Sequence, residues 1–226
     1  MGRLAVILGS NALGPGGEEI AAAAAEHGAA VVQRHGVGAD FVLPHEIDHT
    51  ANLKPLVEQG CDRVLAVASV GSLRTDLPVG SLVCPDDFIA LHVSDSIFTD
   101  ARAHSAPRFA PHWRAELLAA WAEGGEVPID GGVYWQTIGP RFETPAEIRM
   151  IAAHADVVGM TIGSECVIAG ELGLEYAAIC VVDNLANGLA EGELSIAELE
   201  ADRIINATRL RDGLAAVLPR LGAVGR

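Results

Sequence analysis

The stretch "TANLKPLVEQGCDRVLAVASVGS", Thr50 to Ser72, decides the fold. Residues 50–60 carry a helical pattern that closes at Gly60, where a helix end wants a glycine. An uninterrupted apolar run, "RVLAVAS" (63–69), follows. A strand that is apolar on both faces belongs to a sheet covered on both sides. The run leads into Ser69, Val70, Gly71 and Ser72, a small-residue turn. Small residues at the carboxyl end of such a strand let a ligand come close to the backbone.

The same alternation continues in both directions. Short apolar runs recur at 4–9, 80–85, 132–139, 156–160 and 176–182. Helical patterns occupy 18–28, 112–125, 144–155, 164–174 and a final segment from Ser195 toward Leu218. Thr144 with Pro145 and Glu147, and Ser195 with Glu198, have the spacing of capped helix starts. Gly28, Gly124 and Gly173 stand where helices should end. The expectation is an α/β chain in one domain, residues 1–226, with helices on both faces of a central sheet. Residues 92–111 are polar and irregular and read as a long loop or lid.

Composition narrows the function classes. Half of the 226 residues are hydrophobic and the formal net charge is -15. Such a surface disfavours nucleic acid and anionic membranes as partners, and leaves a small anion possible only at a local cationic site. Cys61, Cys84, Cys166 and Cys180 form no C-x-x-C pair and read as buried free thiols, which fits a reducing, cytoplasmic setting. The start "MGRLAVILGSNALG" reads as a first strand rather than a signal peptide. No apolar run is long enough to span a bilayer.

Several motifs end strands. "LGSNALG" (8–14) offers backbone N–H groups and the Ser10 hydroxyl, either a structural turn or an anion cradle. "QRHG" (33–36) sets Arg34 beside His35, either an exposed basic pair or a phosphate fork. "VVGMTIGSE" (157–165) supplies the Thr161 hydroxyl and the Glu165 carboxylate, a pairing that suits sugar hydroxyls. "VVDNLANG" (181–188) carries Asp183 and Asn184, and an Asn amide both donates and accepts. "HEIDH" (45–49) matches a zinc-peptidase pattern, but Pro44 precedes it and Asp48 and Thr50 start a helix only there. That stretch reads as a turn entering the helix 50–60. The loop "TIGPRFETPAEIR" (137–149) mixes Arg141, Phe142 and Glu143, which core packing does not require.

Taken in order, "RHG", the long block from Ala51 to Ile89, "GPRFETPAEI", "DVVGMTIGSE" and "ELGLEYAAICVVDN" resemble the trimeric purine nucleoside phosphorylases. The similar branch is that of the 5′-methylthioadenosine and 5′-methylthioinosine phosphorylases. The chain departs from that pattern in "GSNALG" at the first turn, in "GSE" where "PE" is usual, and in a shortened 92–111 region. The resemblance implies a mixed central sheet and phosphorolysis of a purine nucleoside. It implies no metal or organic cofactor, inorganic phosphate as co-substrate, and a homotrimer or a dimer of trimers. It implies that Ser10, Arg34, His35, the Ser69 backbone and Thr161 hold phosphate. Met160 meets the ribose, Phe142 stacks near the base, and His104 reaches the 5′ end in a neighbouring subunit. Counting eight residues from Tyr176 places Asn184, rather than Asp183, at the base-reading position. With Glu143 as acceptor for N1–H, a 6-oxopurine is preferred. The alternatives are a 6-aminopurine phosphorylase that uses Asp183, a nucleosidase, and a non-catalytic nucleoside-binding homologue.

Overall fold

The computed structural model describes residues 2–9, 17–36, 38–189 and 196–222. One nine-stranded mixed sheet runs through it. Its strands are β1 (Arg3–Leu8), β2 (Ala30–Gln33), β3 (Cys61–Ser72), β4 (Leu82–Cys84), β5 (Asp87–Ile89), β6 (Ile129–Asp130), β7 (Val133–Gln136), β8 (Val157–Gly159) and β9 (Glu175–Leu185). The helices among the described residues are α1 (Gly17–Glu26), α2 (His49–Glu58), α3 (Pro111–Glu123), α4 (Pro145–Ile151), α5 (Ile162–Glu171) and α6 (Ile196–Gly222).

The expected runs became β1, β3, β4, β7, β8 and β9. β2, β5 and β6 were not anticipated as strands. Each has two to four residues, too few to show a period, and is defined by its neighbours alone. The Thr144–Glu147 capping box is formed. Ser195, the start proposed for the last helix, lies outside the described residues. "HEIDH" splits between a one-turn 3₁₀ segment, Pro44–Glu46, and α2, whose N-cap Asp48 accepts from the Ala51 amide. His45 and His49 therefore do not share a helical face. Among the described residues no group of three or more His, Cys, Asp or Glu is placed to hold a metal ion. No described helix is long and apolar enough to cross a membrane.

The long strand β3 organises the sheet. β9 runs parallel along one edge of it. On the other edge, β1 pairs in parallel as far as Val67, and β8 pairs antiparallel from Gly71. Between those limits, residues 68–70 have no strand partner on that edge. The two faces of the sheet alternate into separate cores. Leu4, Val6 and Leu8 of β1 join Leu65, Val67, Ile179 and Val181 under α1, α3 and α6. Ala5 and Ile7 join Val64, Ala66, Ala178, Cys180 and Val182 under α2 and α5. Period-2 alternation with both faces apolar is what a doubly covered sheet requires. All four cysteines are free and buried.

α6 closes the first core through Leu210, Leu214, Val217, Leu218 and Leu221, at helical spacing. At Gly213 it passes so close to Trp121 of α3 that a Cβ would stand 2.5 Å from the indole ring. Alanine in a helix interior gains about 1 kcal/mol over glycine. Overpacking a fully buried indole costs about 1–3 kcal/mol. Gly213→Ala should therefore lower the urea midpoint despite the better helix former. A raised midpoint would refute this close packing.

Candidate functional site

The edge of β3 left open at 68–70 is where the candidate site lies. The ends of five strands meet there: Gly9 after β1, Arg34 and His35 after β2, Ala68–Gly71 in β3, Val158–Thr161 around β8, and Asn184, Ala186 and Asn187 at the end of β9. Phe142 and Glu143, from the β7–α4 loop, and Pro44 complete the lining. Beyond Ser69, seven residues expected at a site therefore share one cavity: Arg34, His35, Phe142, Glu143, Met160, Thr161 and Asn184. Ser10 lies outside the described residues. His104 is exposed at the end of a 3₁₀ turn; no residue of 92–111 lines the cavity, and Phe109 of that segment is buried in the core.

Arg34 is buried at 2% exposure, not the exposed basic residue that "QRHG" allowed. Its Nε and Nη2 donate to the two oxygens of Glu165, the latter at 3.0 Å, and Nη1 donates to the Val67 carbonyl at 2.9 Å. That carbonyl belongs to the last β3 residue paired with β1, so the guanidinium stands at the gap between the two neighbours of β3. Glu165 is also buried, 1% exposed, and takes a further hydrogen bond from the Tyr176 hydroxyl at 2.5 Å. It does not line the cavity, so the sugar-binding carboxylate read from "MTIGSE" is corrected. Glu165 lies one helical turn after Thr161 and faces inward beneath the site. Burial opposes its ionisation, but the Arg34 charge and hydrogen bonds outweigh that and hold its pKa below the ordinary carboxyl value.

His35 stacks on Phe41, with centroids 5.3 Å apart. Its Nδ1 is 2.9 Å from the Val42 carbonyl, so Nδ1 carries the proton and Nε2 is the acceptor of the neutral ring. Thr161 is the N-cap of α5, and its own amide and those of Ile162 and Ser164 are already used. Thr161 and Ile162 donate to the Tyr134 hydroxyl, and Ser164 donates to Gln136.

The Asp183–Asn184 pair is sorted by a β-bulge. Val70 pairs with Val182, but Gly71 pairs with Asn184, leaving Asp183 as the extra residue. Asn184 lines the cavity, and its amide donates to the Leu185 carbonyl at 2.8 Å. Asp183 is buried away from the lining. It accepts from the Ser69 hydroxyl and from Asn206 of α6, the latter at 2.9 Å. Ser69 thus turns its hydroxyl toward Asp183 while its residue borders the cavity.

The β7–α4 loop is held from several sides. Gly139 has φ +70 and lies against Met160, where a side chain would not fit. Glu143 is 8% exposed; its Oε1 accepts from Thr137 at 2.6 Å and its carbonyl from Asn187 at 3.0 Å. Thr137 and Asn187 were not foreseen as its partners; both lie in stretches singled out above, but the residues drawing notice there were Arg141, Phe142, Glu143, Asp183 and Asn184. Arg141 pairs with Glu147 at 2.7–2.8 Å and donates to the Phe142 carbonyl. It thereby locks the helix start and stays outside the cavity.

His49, buried against Glu165 with Nδ1 4.0 Å away, has no hydrogen-bond partner for that nitrogen. Burial lowers the pKa of both His35 and His49 below 6.5. The unfolded chain then takes up protons below pH 6.5 that the folded chain refuses, so stability falls as pH drops through that window. The urea midpoint should be lower at pH 5.5 than at pH 7.5, and His49→Leu should flatten the difference. An unchanged slope in that variant would remove His49 from the account.

A family model described as the phosphorylase superfamily matches residues 9–219. The chain is 43% identical over 171 residues, 75% of its length and 70% of the relative's, to a probable 6-oxopurine nucleoside phosphorylase of Archaeoglobus fulgidus. It is 39% identical over 172 residues to a probable S-methyl-5′-thioinosine phosphorylase of Methanothermobacter thermautotrophicus, covering 75% of this chain and 60% of the relative. Among solved structures, the methylthioadenosine phosphorylase of Schistosoma mansoni in complex with adenine superposes with a TM-score of 0.81. At 20% identity, over 98% of this chain and 92% of the other, that likeness speaks for the fold. With these matches and the arrangement of its strand ends, the chain belongs to the phosphorylase superfamily.

Proposed function

We propose that the protein cleaves the N-glycosidic bond of a 6-oxopurine nucleoside, inosine or 5′-methylthioinosine, with inorganic phosphate. A phosphate oxygen bonds to C1′ as the C1′–N9 bond breaks; the electron pair passes to the purine, which takes up the proton that the hydrogen phosphate gives up, directly or through water. The products are the free purine and ribose 1-phosphate or its 5-methylthio analogue. The observation that carries the reading is the placement of Asn184 and Glu143 on the same cavity as Arg34, His35, Ser69 and Thr161.

In this reading the strand ends around Arg34 receive phosphate. Arg34, His35, Thr161, the Ser69 backbone and Ser10 would be its partners, and Met160 would lie along the ribose. Holding phosphate and sugar in one orientation turns a bimolecular attack into a unimolecular one. Phe142 would cover the purine. The Asn184 amide would donate to N7 or O6, where negative charge gathers as the bond breaks. The Glu143 carboxylate would accept from N1–H, which adenine lacks. The names of the relatives from A. fulgidus and M. thermautotrophicus point to the same base class. A 6-aminopurine enzyme would need an acid at the Asn184 position, and Asp183 is engaged with Ser69 and Asn206 instead. Assembly as a trimer belongs to the same proposal, with His104 of the partner subunit completing the 5′ end.

Base release from inosine or 5′-methylthioinosine should require phosphate and yield the sugar 1-phosphate. Release that ignores phosphate would make the protein a nucleosidase. Asn184→Asp should cut kcat/KM for inosine by on the order of a hundredfold, the scale of losing one donor to a developing anion. It should also move the preference toward adenosine. Unchanged turnover would remove Asn184 from the base site.

A further inference from the structure

We infer that Glu165, with Tyr176 behind it, is a positioning residue that aims the free edge of Arg34 into the cavity. The inference rests on the phosphorolytic reading above. Arginine has five N–H donors. Three of those of Arg34 are engaged, two by Glu165 and one by the Val67 carbonyl. One donor on each terminal nitrogen remains, on a residue that lines the cavity.

A guanidinium held on one side by two parallel bonds cannot rotate about its last bond. The carboxylate is itself fixed. Tyr176, fully buried on β9, donates to Oε2, the oxygen that also accepts from Nη2. The carboxylate is carried by α5, whose first turn is tied to β7 through Tyr134 and Gln136. The line from β9 through Tyr176, Glu165 and Arg34 thus sets one donor edge relative to strand ends on β3 and β8. Its other neighbour, His49, is neutral at ordinary pH because burial lowers its pKa, so Arg34 is the cationic partner of Glu165.

The pairing also changes what Arg34 contributes. With the Glu165 charge against it, Arg34 offers oriented donors more than net positive charge. An anion there gains from the direction of those N–H groups, so a shift in direction should weaken it selectively. A misplacement of about 1 Å can cost on the order of a hundredfold.

The test measures steady-state kinetics with phosphate and inosine varied separately, and phosphate binding by calorimetry, for the full chain and its variants. Tyr176→Phe keeps the ring and removes one fixed donor; Glu165→Gln keeps the shape and removes the charge. Both should raise the phosphate KM and Kd, Glu165→Gln by about tenfold or more. The inosine KM should change less than about twofold, and Glu165→Asp should fall between. Thermal unfolding sorts out variants that do not fold. Should Glu165→Gln fail to fold, Tyr176→Phe decides on the same phosphate readout. Unchanged phosphate constants, or equal losses for phosphate and inosine, overturn the positioning role. A wild-type protein that neither binds phosphate nor uses it would instead overturn the phosphorolytic reading, which keeps the two failures distinct.

Discussion

The site depends on the change of partner along one edge of β3. β1 leaves after Val67 and β8 arrives at Gly71. A buried strand edge with nothing on it would strand backbone polar groups, at a cost of about 1–3 kcal/mol for each one unpaired. Here the Arg34 guanidinium binds the Val67 carbonyl, and the remaining edge borders a cavity. The break in the ladder is thus both a topological switch and the wall of a site, the arrangement that open α/β sheets favour for ligands.

Placing an arginine in that gap creates a second requirement. A buried guanidinium without a counter-charge would cost several kcal/mol, and removing one partner of a buried pair costs about 3–5 kcal/mol. Glu165 answers this with two bonds, and Tyr176 fixes Glu165. The elements that carry Glu165 and Tyr176, α5 and β9, are buried along most of their length. Ion pair and core therefore support each other: burial strengthens the pair, and the pair lets the charged residues be buried.

The electrostatics of the cavity follow from that pairing rather than from composition. The chain is strongly acidic overall, yet its cavity holds a neutralised arginine, a neutral histidine, hydroxyls and amides, with Glu143 as the one carboxylate among its lining residues. In the proposed reaction, recognition there works by aimed hydrogen bonds. Even at the start of α5, a usual place for an anion, the Thr161, Ile162 and Ser164 amides are spent on Tyr134 and Gln136.

Much of this was legible in the chain itself. Apolar runs between helical patterns determined a doubly covered sheet, because a strand buried on both faces must be apolar throughout. The ordered motifs pointed to residues that the fold brings to one cavity, and local features such as the Thr144–Glu147 cap could be read because they depend on neighbours in sequence. Tertiary structure alone decided the partners. That Arg34 meets Glu165, 131 positions away, depends on how α5 and β2 pack. That Asn184 faces the cavity while Asp183 turns to Ser69 and Asn206 depends on a bulge against Gly71. A one-residue shift in a strand exchanges its faces, and adjacent letters in a sequence do not record which face is which.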